Sequence, residues 1–102
     1  YALGYSNGAN ILASMLFRDP NLFDRAALMH PLIPWIPEPQ PALSGKRVLI
    51  TAGEVDPISP LKLSKSLIEW FRAQGADVKS LIAPGGHEIR PVELESLRNF
   101  LQ

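Results

Sequence analysis

The sequence predicts an α/β fold, in which a parallel sheet of about three strands is flanked by helices on both faces. Short apolar runs at 23–29, 47–52 and 77–83 have the length and composition of strands buried on both sides. Longer segments between and after them carry apolar residues at helical spacing. This alternation is typical of parallel sheets with right-handed connections.

The first helix is predicted over 7–18, directly after Tyr1-Ala2-Leu3, which read as the last residues of a strand. The segment is apolar almost all round, which predicts burial on several sides. Its expected apolar face consists of Ile11, Leu12, Met15 and Leu16. Arg18 and the Asp19-Pro20 step then end the helix.

The segment 31–41 contains five prolines, which exclude a regular helix or a central strand. We expect a stiff, extended loop that covers the core or lines a pocket. Its large apolar side chains include Ile33 and Trp35, which are candidates for the substrate pocket.

The second helix is predicted to begin at Ser59-Pro60, with the serine as N-cap and the proline in the first helical position. It runs to about Gln74, and Gly75 is expected to end it in a left-handed conformation. The predicted buried stripe is Leu63, Leu67, Trp70 and Phe71. A final helix begins at Pro91, with Leu94, Leu97 and Leu101 on one face and Phe100 beside it.

The stretch Gly4-Tyr5-Ser6-Asn7-Gly8 matches the Gly-x-Ser-x-Gly nucleophile elbow, a sharp turn from strand to helix that presents a serine. Glycines two residues before and after the serine let the neighbouring backbones pass closely. The alternative is a glycine-rich turn in which the serine has no catalytic role.

Polar residues follow the ends of all the predicted strands, where ligands bind in open parallel sheets. These residues are Ser6, His30, Asp56 and His87. Three of them form a nucleophile, an acid and a base in the chain order Ser–Asp–His, which is the order of α/β-hydrolases. His87 would accept the serine proton, and Asp56 would fix the tautomer of His87. The backbone N–H of Asn7 would contribute to the oxyanion hole.

Several residues have alternative interpretations. Asp56 precedes a proline and is also a common turn residue, and Glu54 is a rival acid. His30 could also act as the base, but it precedes Asp56 in the chain, whereas the base of an α/β-hydrolase follows the acid. We therefore interpret His30 as a packing residue or as a wall of the pocket. Ile58, in the loop after the third strand, is a further pocket candidate.

Composition excludes several classes of protein. Formal net charge is zero, which argues against a nucleic-acid partner, and no apolar run is long enough for a transmembrane segment. Cysteine is absent, which excludes disulfides and thiolate metal sites, and two histidines alone make a poor metal site. Without a signal segment, the default localisation is cytoplasmic.

Taken together, four segments resemble the serine carboxylesterase/phospholipase family of α/β-hydrolases, which includes acyl-protein thioesterases and dioxygenase-linked hydrolases. They are Gly-Tyr-Ser-Asn-Gly-Ala-Asn (4–10), His-Pro-Leu-Ile-Pro (30–34), Ala-Gly-Glu-Val-Asp-Pro-Ile-Ser-Pro (52–60) and Gly-Gly-His-Glu (85–88). The resemblance implies Ser6, Asp56 and His87 as the triad and a small-molecule ester or thioester as substrate. It also implies no metal and no organic cofactor.

In that family roughly half of the domain precedes the elbow, including a loop that supplies a second oxyanion donor. We therefore expect residues 1–102 to correspond to the C-terminal half of such a domain, with an exposed sheet edge that favours self-association. Two alternatives stay open: a catalytically weak or inactive fragment that folds by self-association, and a peptidase-type α/β-hydrolase.

Overall fold

The computed structural model describes residues 1–102 as four parallel strands and three α-helices. The sheet order is β1-β2-β3-β4. The strands and helices, in chain order, are β1 Ala2–Tyr5, α1 Asn7–Arg18, β2 Arg25–Met29, β3 Arg47–Gly53, α2 Leu61–Ala73, β4 Asp77–Ala83 and α3 Pro91–Leu101, with one turn of 3₁₀ helix at Pro41–Leu43. The α/β prediction is confirmed. The strand count is four instead of about three, because the short β1 pairs with β2 along its whole length.

Helices cover both faces of the sheet, as the sequence predicts. Side chains alternate between the two faces of a strand. Ala26 and Leu28 of β2 belong to a large core that α1 and α2 complete, whereas Ala27 packs on the other face with Phe100 of α3. The carboxyl ends of β1, β2 and β3 consequently remain adjacent at one edge of the fold.

The buried faces of the helices are rotated from those predicted. In α1, Ile11 and Met15 are exposed, and the buried residues are Ala9, Leu12, Ala13 and Leu16. In α2, Leu63 is half-buried and Ile68 joins the buried stripe. In α3, Leu94 is exposed and Glu93 is buried. Apolar spacing locates these helices but does not fix which of their apolar residues meets the sheet.

The start of α2 also differs from the prediction. The N-cap position is Pro60 and the helix begins at Leu61, with no side-chain cap. Ser59 lies before the helix, and its hydroxyl donates to the carbonyl oxygen of His30 at 3.1 Å. The serine therefore binds the residue that follows β2 and does not cap α2. The predicted left-handed stop is confirmed, because Gly75 has a φ of 84°.

The proline-rich loop adopts no strand or α-helix, as predicted, and packs along α2. Ile33 lies in the main core. The indole N–H of Trp70 donates to the carbonyl oxygen of Pro37 at 3.0 Å, which fastens the loop to the helix. Trp35 and Ile36 remain exposed on its surface.

Candidate active site

Ser6 occupies a strained turn between β1 and α1. Its φ of 54° is in the left-handed region, which non-glycine residues rarely adopt. Its backbone N–H donates to the carbonyl oxygen of Met29 at 2.8 Å, so the turn is anchored to the end of β2. A sharp turn of this kind is what the predicted nucleophile elbow requires.

The two glycines of the elbow have different surroundings. A Cβ on Gly4 would lie 2.5 Å from the carbonyl oxygen of Gly8, a distance that no side chain tolerates. A Cβ on Gly8 would meet no atom within 4 Å. The close approach predicted for both positions is therefore present at Gly4 only.

Asp56 is held by the loop that follows β3. Its Oδ1 atom accepts the backbone N–H groups of Ile58 and Ser59, both at 2.8 Å. An aspartate that accepts N–H groups two and three residues ahead stabilises its own turn. The carboxylate is therefore fixed, and its second oxygen, Oδ2, is left for other donors.

His87 lies on the loop that follows β4, and two contacts bring that loop to the site. The N–H of Val55 donates to the carbonyl oxygen of Gly85 at 2.9 Å, which joins the loops after β3 and β4. The hydroxyl of Tyr5, the residue before the nucleophile, donates to the carbonyl oxygen of His87. Both contacts hold the imidazole over the end of β1.

These loops bring the three predicted catalytic residues together. Ser6 Oγ lies 2.6 Å from His87 Nε2, and His87 Nδ1 lies 2.6 Å from Asp56 Oδ2. The hydroxyl, imidazole and carboxylate thus form one continuous line of hydrogen bonds. The arrangement allows the imidazole to accept the serine proton while the carboxylate holds the other ring N–H.

The electrostatics of Asp56 fit that arrangement. Burial alone would raise the pKa of this carboxyl group, but several donors outweigh it: the N–H of Ser59, the imidazoles of His30 and His87, and the N–H of Ile58. Together they lower the pKa of Asp56 to about 2. The carboxylate is therefore ionised at any neutral or mildly acidic pH.

Asn7, the predicted oxyanion donor, is the first residue of α1 and is exposed. The N–H groups of a first helical turn have no partner within the helix, and the helix dipole favours negative charge there. The position beside Ser6 can accordingly receive a developing oxyanion.

Two of the four predicted pocket residues lie inside the protein, which agrees with the packing alternative given for His30 and with a loop that covers the core at Ile33. His30 is fully buried, and Ile33 is 3% exposed within the main core, so neither lines an open surface. The loop folds back onto α1 and α2 immediately after β2, which takes both side chains inward. Trp35 and Ile58 are more than half exposed, and their role in a pocket remains a prediction.

A cavity of about 870 Å³ lies between the proline-rich loop and α2. Trp35, Leu61 and Trp70 are among the residues that line it. None of Ser6, Asp56 and His87 lines this cavity. The candidate site is therefore identified by its hydrogen bonds and not by the cavity.

Two polar residues at the site escaped the sequence analysis. Glu93 is buried and contacts His30, and Tyr5 contacts His87. A glutamate in the first turn of a helix is common for reasons of capping alone, so its position carries no functional signal. Nor does any motif distinguish the variable second residue of an elbow.

His30, Asp56 and His87 also have metal-binding atoms within 4.8 Å of one another. Those atoms already bond among themselves, because Asp56 Oδ2 lies 3.0 Å from His30 Nδ1 and 2.6 Å from His87 Nδ1. A metal ion would have to replace both hydrogen bonds. The donor set is therefore better explained as a hydrogen-bonded network.

Comparison with known proteins finds relatives named as hydrolases. No family model matches the chain. It is 37% identical over 99 residues to the protein named "Putative hydrolase MhqD" of Bacillus subtilis (strain 168), a match that covers 97% of this chain and 50% of that protein.

None of the three helices is long and apolar enough to cross a membrane.

Solved structures with a similar fold include a carboxylesterase and a protein of unknown function. A carboxylesterase from Bacillus cereus superimposes with a TM-score of 0.89 at 37% identity, over 96% of this chain and 46% of its own. A protein of unknown function from Agrobacterium tumefaciens str. C58 is 55% identical, with a TM-score of 0.88, over 97% of this chain and 48% of its own. The chain thus spans about half the length of the relatives it matches.

Proposed function

We propose that this chain carries the catalytic residues of a serine carboxylesterase. It has the α/β-hydrolase fold and matches hydrolases and carboxylesterases over about half their length. Ser6 is the nucleophile, His87 the general base and acid, and Asp56 the orienting carboxylate. The substrate class is a small-molecule carboxylic ester or thioester. The relatives' names support hydrolysis, and the assignment of the residues is ours.

The observation that carries the proposal is the pair of 2.6 Å contacts that His87 makes with Ser6 Oγ and Asp56 Oδ2. A serine hydroxyl alone is a poor nucleophile, and a base at this distance can take its proton as it attacks. The strained φ of Ser6 supports the same role, since backbone strain of this kind is concentrated at functional sites.

The proposed reaction has two steps, acylation of Ser6 and hydrolysis of the acyl-enzyme. Ser6 Oγ attacks the ester carbonyl while its proton passes to His87 Nε2, and the leaving alcohol or thiol then departs with that proton. In the second step water attacks the acyl-serine, gives its proton to His87, and the acid is released as the proton returns to Ser6. No redox partner or cofactor enters either step.

Stabilisation of the tetrahedral intermediate falls to backbone N–H groups at the start of α1. Asn7 supplies one donor from this chain. Loss of one oxyanion donor typically lowers kcat by about a hundred- to a thousand-fold. We therefore expect slow turnover from a site that has the Asn7 donor alone.

The experiment is ester hydrolysis measured with short-chain and longer-chain p-nitrophenyl esters, beside the matching anilides. Ester hydrolysis above background that Ser6→Ala abolishes is the expected result. Hydrolysis of the anilides in preference to the esters would instead favour a peptidase.

Matched variants separate chemistry from folding. Ser66→Ala changes an exposed serine of α2 and should leave hydrolysis unchanged. His87→Gln should remove it while the circular dichroism spectrum stays that of the parent. Ester hydrolysis that survives in both Ser6→Ala and His87→Gln would contradict the proposal.

A further inference from the structure

His30 lies behind the triad, enclosed between two carboxyl groups. Its Nδ1 is 3.0 Å from Asp56 Oδ2, the same oxygen that His87 contacts, and its Nε2 is 2.6 Å from Glu93 Oε1. The side chains of His30, Asp56 and Glu93 are all completely buried. The line of hydrogen bonds therefore continues from Ser6 through His87 and Asp56 to His30 and Glu93.

Counting donors shows what this line requires. An ionised carboxylate only accepts hydrogen bonds, and a neutral imidazole has one donor and one acceptor. Both ring nitrogens of His30 face carboxyl oxygens, so both must carry protons if both carboxyl groups are ionised. A buried charge persists only with a partner, and Glu93 is that partner at 2.6 Å.

We propose that Glu93 and His30 form a positioning pair for the triad: Glu93 keeps both ring nitrogens of His30 protonated, and His30 donates to Asp56. This inference rests on the proposed function. Neither residue contacts substrate. Their role is to hold Asp56 Oδ2 in place, so that the carboxylate meets His87 in one fixed orientation.

The backbone around His30 is built to hold this ring. Its φ of 52° is left-handed, and such strain persists only where surrounding contacts impose it. The N–H of His30 donates to the carbonyl oxygen of Thr51 at 2.9 Å, and its own carbonyl oxygen accepts the hydroxyl of Ser59 at 3.1 Å. Contacts from β3 and from the loop that follows it thus fix the backbone of His30.

Glu93 is equally constrained. Its Oε2 accepts the backbone N–H of Arg90 at 2.6 Å, while Oε1 faces His30. The first turn of a helix favours an ionised carboxylate, because the unpaired N–H groups there carry partial positive charge. The pair therefore also joins the start of α3 to the ends of β2 and β3.

Other titratable groups face His30 from the neighbouring elements. The rings of Tyr5 and His87 lie edge-on at centroid distances of 5.9 Å and 5.4 Å. The charge of Glu88 is also within electrostatic reach. The ring of His30 nevertheless hydrogen-bonds only to the carboxyl groups of Asp56 and Glu93.

The protonation of both ring nitrogens of His30 is tested by ¹⁵N NMR of the histidine rings in the full chain near neutral pH. The chain has only two histidines, so His87→Gln assigns the signals. Both ring nitrogens of His30 should be protonated. A ring with one unprotonated nitrogen would overturn the proposal, whatever the catalytic activity and whether or not any other variant folds.

The positioning role is tested with Glu93→Gln and the matched variant Glu95→Gln, which alters an exposed carboxylate on the same helix. Glutamine can still accept from Arg90 and can donate to His30 Nε2, so the shape is kept and the charge is lost. We expect Glu93→Gln to leave His30 with one ring proton and to slow fluorophosphonate labelling of Ser6 about five- to ten-fold, the size of effect typical for one hydrogen bond. Glu95→Gln should be labelled at the rate of the parent chain.

Equal labelling rates in the two variants would overturn the positioning role. Failure of the proposed function is separately visible, because the unaltered chain would then not be labelled at all. The NMR result for His30 does not depend on labelling.

Discussion

The carbonyl oxygen of Gly86 lies only 2.0 Å from the position that a Cβ on Gly53 would occupy. Gly53 is the last residue of β3, and Gly86 precedes His87 on the loop after β4. The acid loop and the base loop can therefore approach each other only because residue 53 has no side chain. Asp56 and His87 meet at 2.6 Å as a consequence of that approach.

Gly53→Ala should separate the two loops. The added methyl group meets backbone, which cannot move aside as a flexible side chain can, and we expect a destabilisation of about 1–3 kcal/mol. Fluorophosphonate labelling of Ser6 should be lost or strongly reduced. Gly8→Ala is the control, since its Cβ would meet no atom within 4 Å. Equal labelling of both variants would contradict this account of the loop approach.

The pKa of Asp56 predicts how stability depends on pH. It is lowered from 3.8 to about 2 in the folded chain, so the ionised carboxylate stabilises the fold above the unfolded pKa. That contribution, about 2 kcal/mol, is lost as pH falls from about 4 through 2. Urea unfolding at a series of pH values should show this loss in the parent chain.

Variants of two aspartates test that assignment. The loss of stability between about pH 4 and 2 should be much smaller in Asp56→Asn, where the titrating group is gone. Asp24→Asn changes a carboxylate that is 92% exposed and should follow the parent. An acid-induced loss of the same size in Asp56→Asn and the parent would show that other groups are responsible.

Tyr5→Phe tests the contact between the elbow and the base loop. Burial raises the pKa of Tyr5, and the negative charges of Asp56, Glu93 and Glu88 raise it further, so its hydroxyl remains a donor to the His87 carbonyl at alkaline pH. Loss of this partly exposed hydrogen bond should cost about 1 kcal/mol or less and slow Ser6 labelling a few-fold.

The control for that substitution is Tyr1→Phe, because Tyr1 is 71% exposed and lies outside the site. Labelling rates and unfolding midpoints of the two variants should differ. If Tyr5→Phe matched Tyr1→Phe in both measurements, the hydroxyl of Tyr5 would have no part in holding His87.

The free edge of the sheet predicts self-association. Strand β1 pairs only with β2, and Leu3 on it is 54% exposed. Unpaired strand edges are templates for pairing with another chain. We expect Leu3→Lys to lower the apparent mass by light scattering at high concentration, and Leu22→Lys, at a similarly exposed leucine outside the strands, to leave it unchanged. A parent chain that is monomeric at all concentrations would contradict this prediction.

The meeting of Ser6, Asp56 and His87 was predictable because their positions follow from local patterns. Each residue lies in the turn or loop that follows a strand, and parallel strands place such loops at one edge of the sheet. Glycine and proline mark the turns that carry them. The strand ends therefore indicated which side chains meet before any distance was known.

The surroundings of the triad were not predictable in the same way. Glu93 and His30 are 63 residues apart, and their contact depends on how α3 rotates against the sheet. Apolar spacing favoured Leu94 as the buried residue, whereas the helix turns Glu93 inward to meet His30. Ser59 likewise looked like a helix cap and instead bonds the His30 carbonyl. Buried polar contacts of this kind are satisfied by distant partners, which a linear pattern does not reveal.

The proposed activation of Ser6 by His87 is tested by labelling with a fluorophosphonate probe, followed by mass spectrometry of the modified peptide, because such probes react with activated serines. We expect a single adduct on Ser6 that His87→Gln and Ser6→Ala both abolish and that Ser66→Ala leaves intact. A folded parent chain that takes up no probe, or an adduct on Ser6 that persists in His87→Gln, would contradict it.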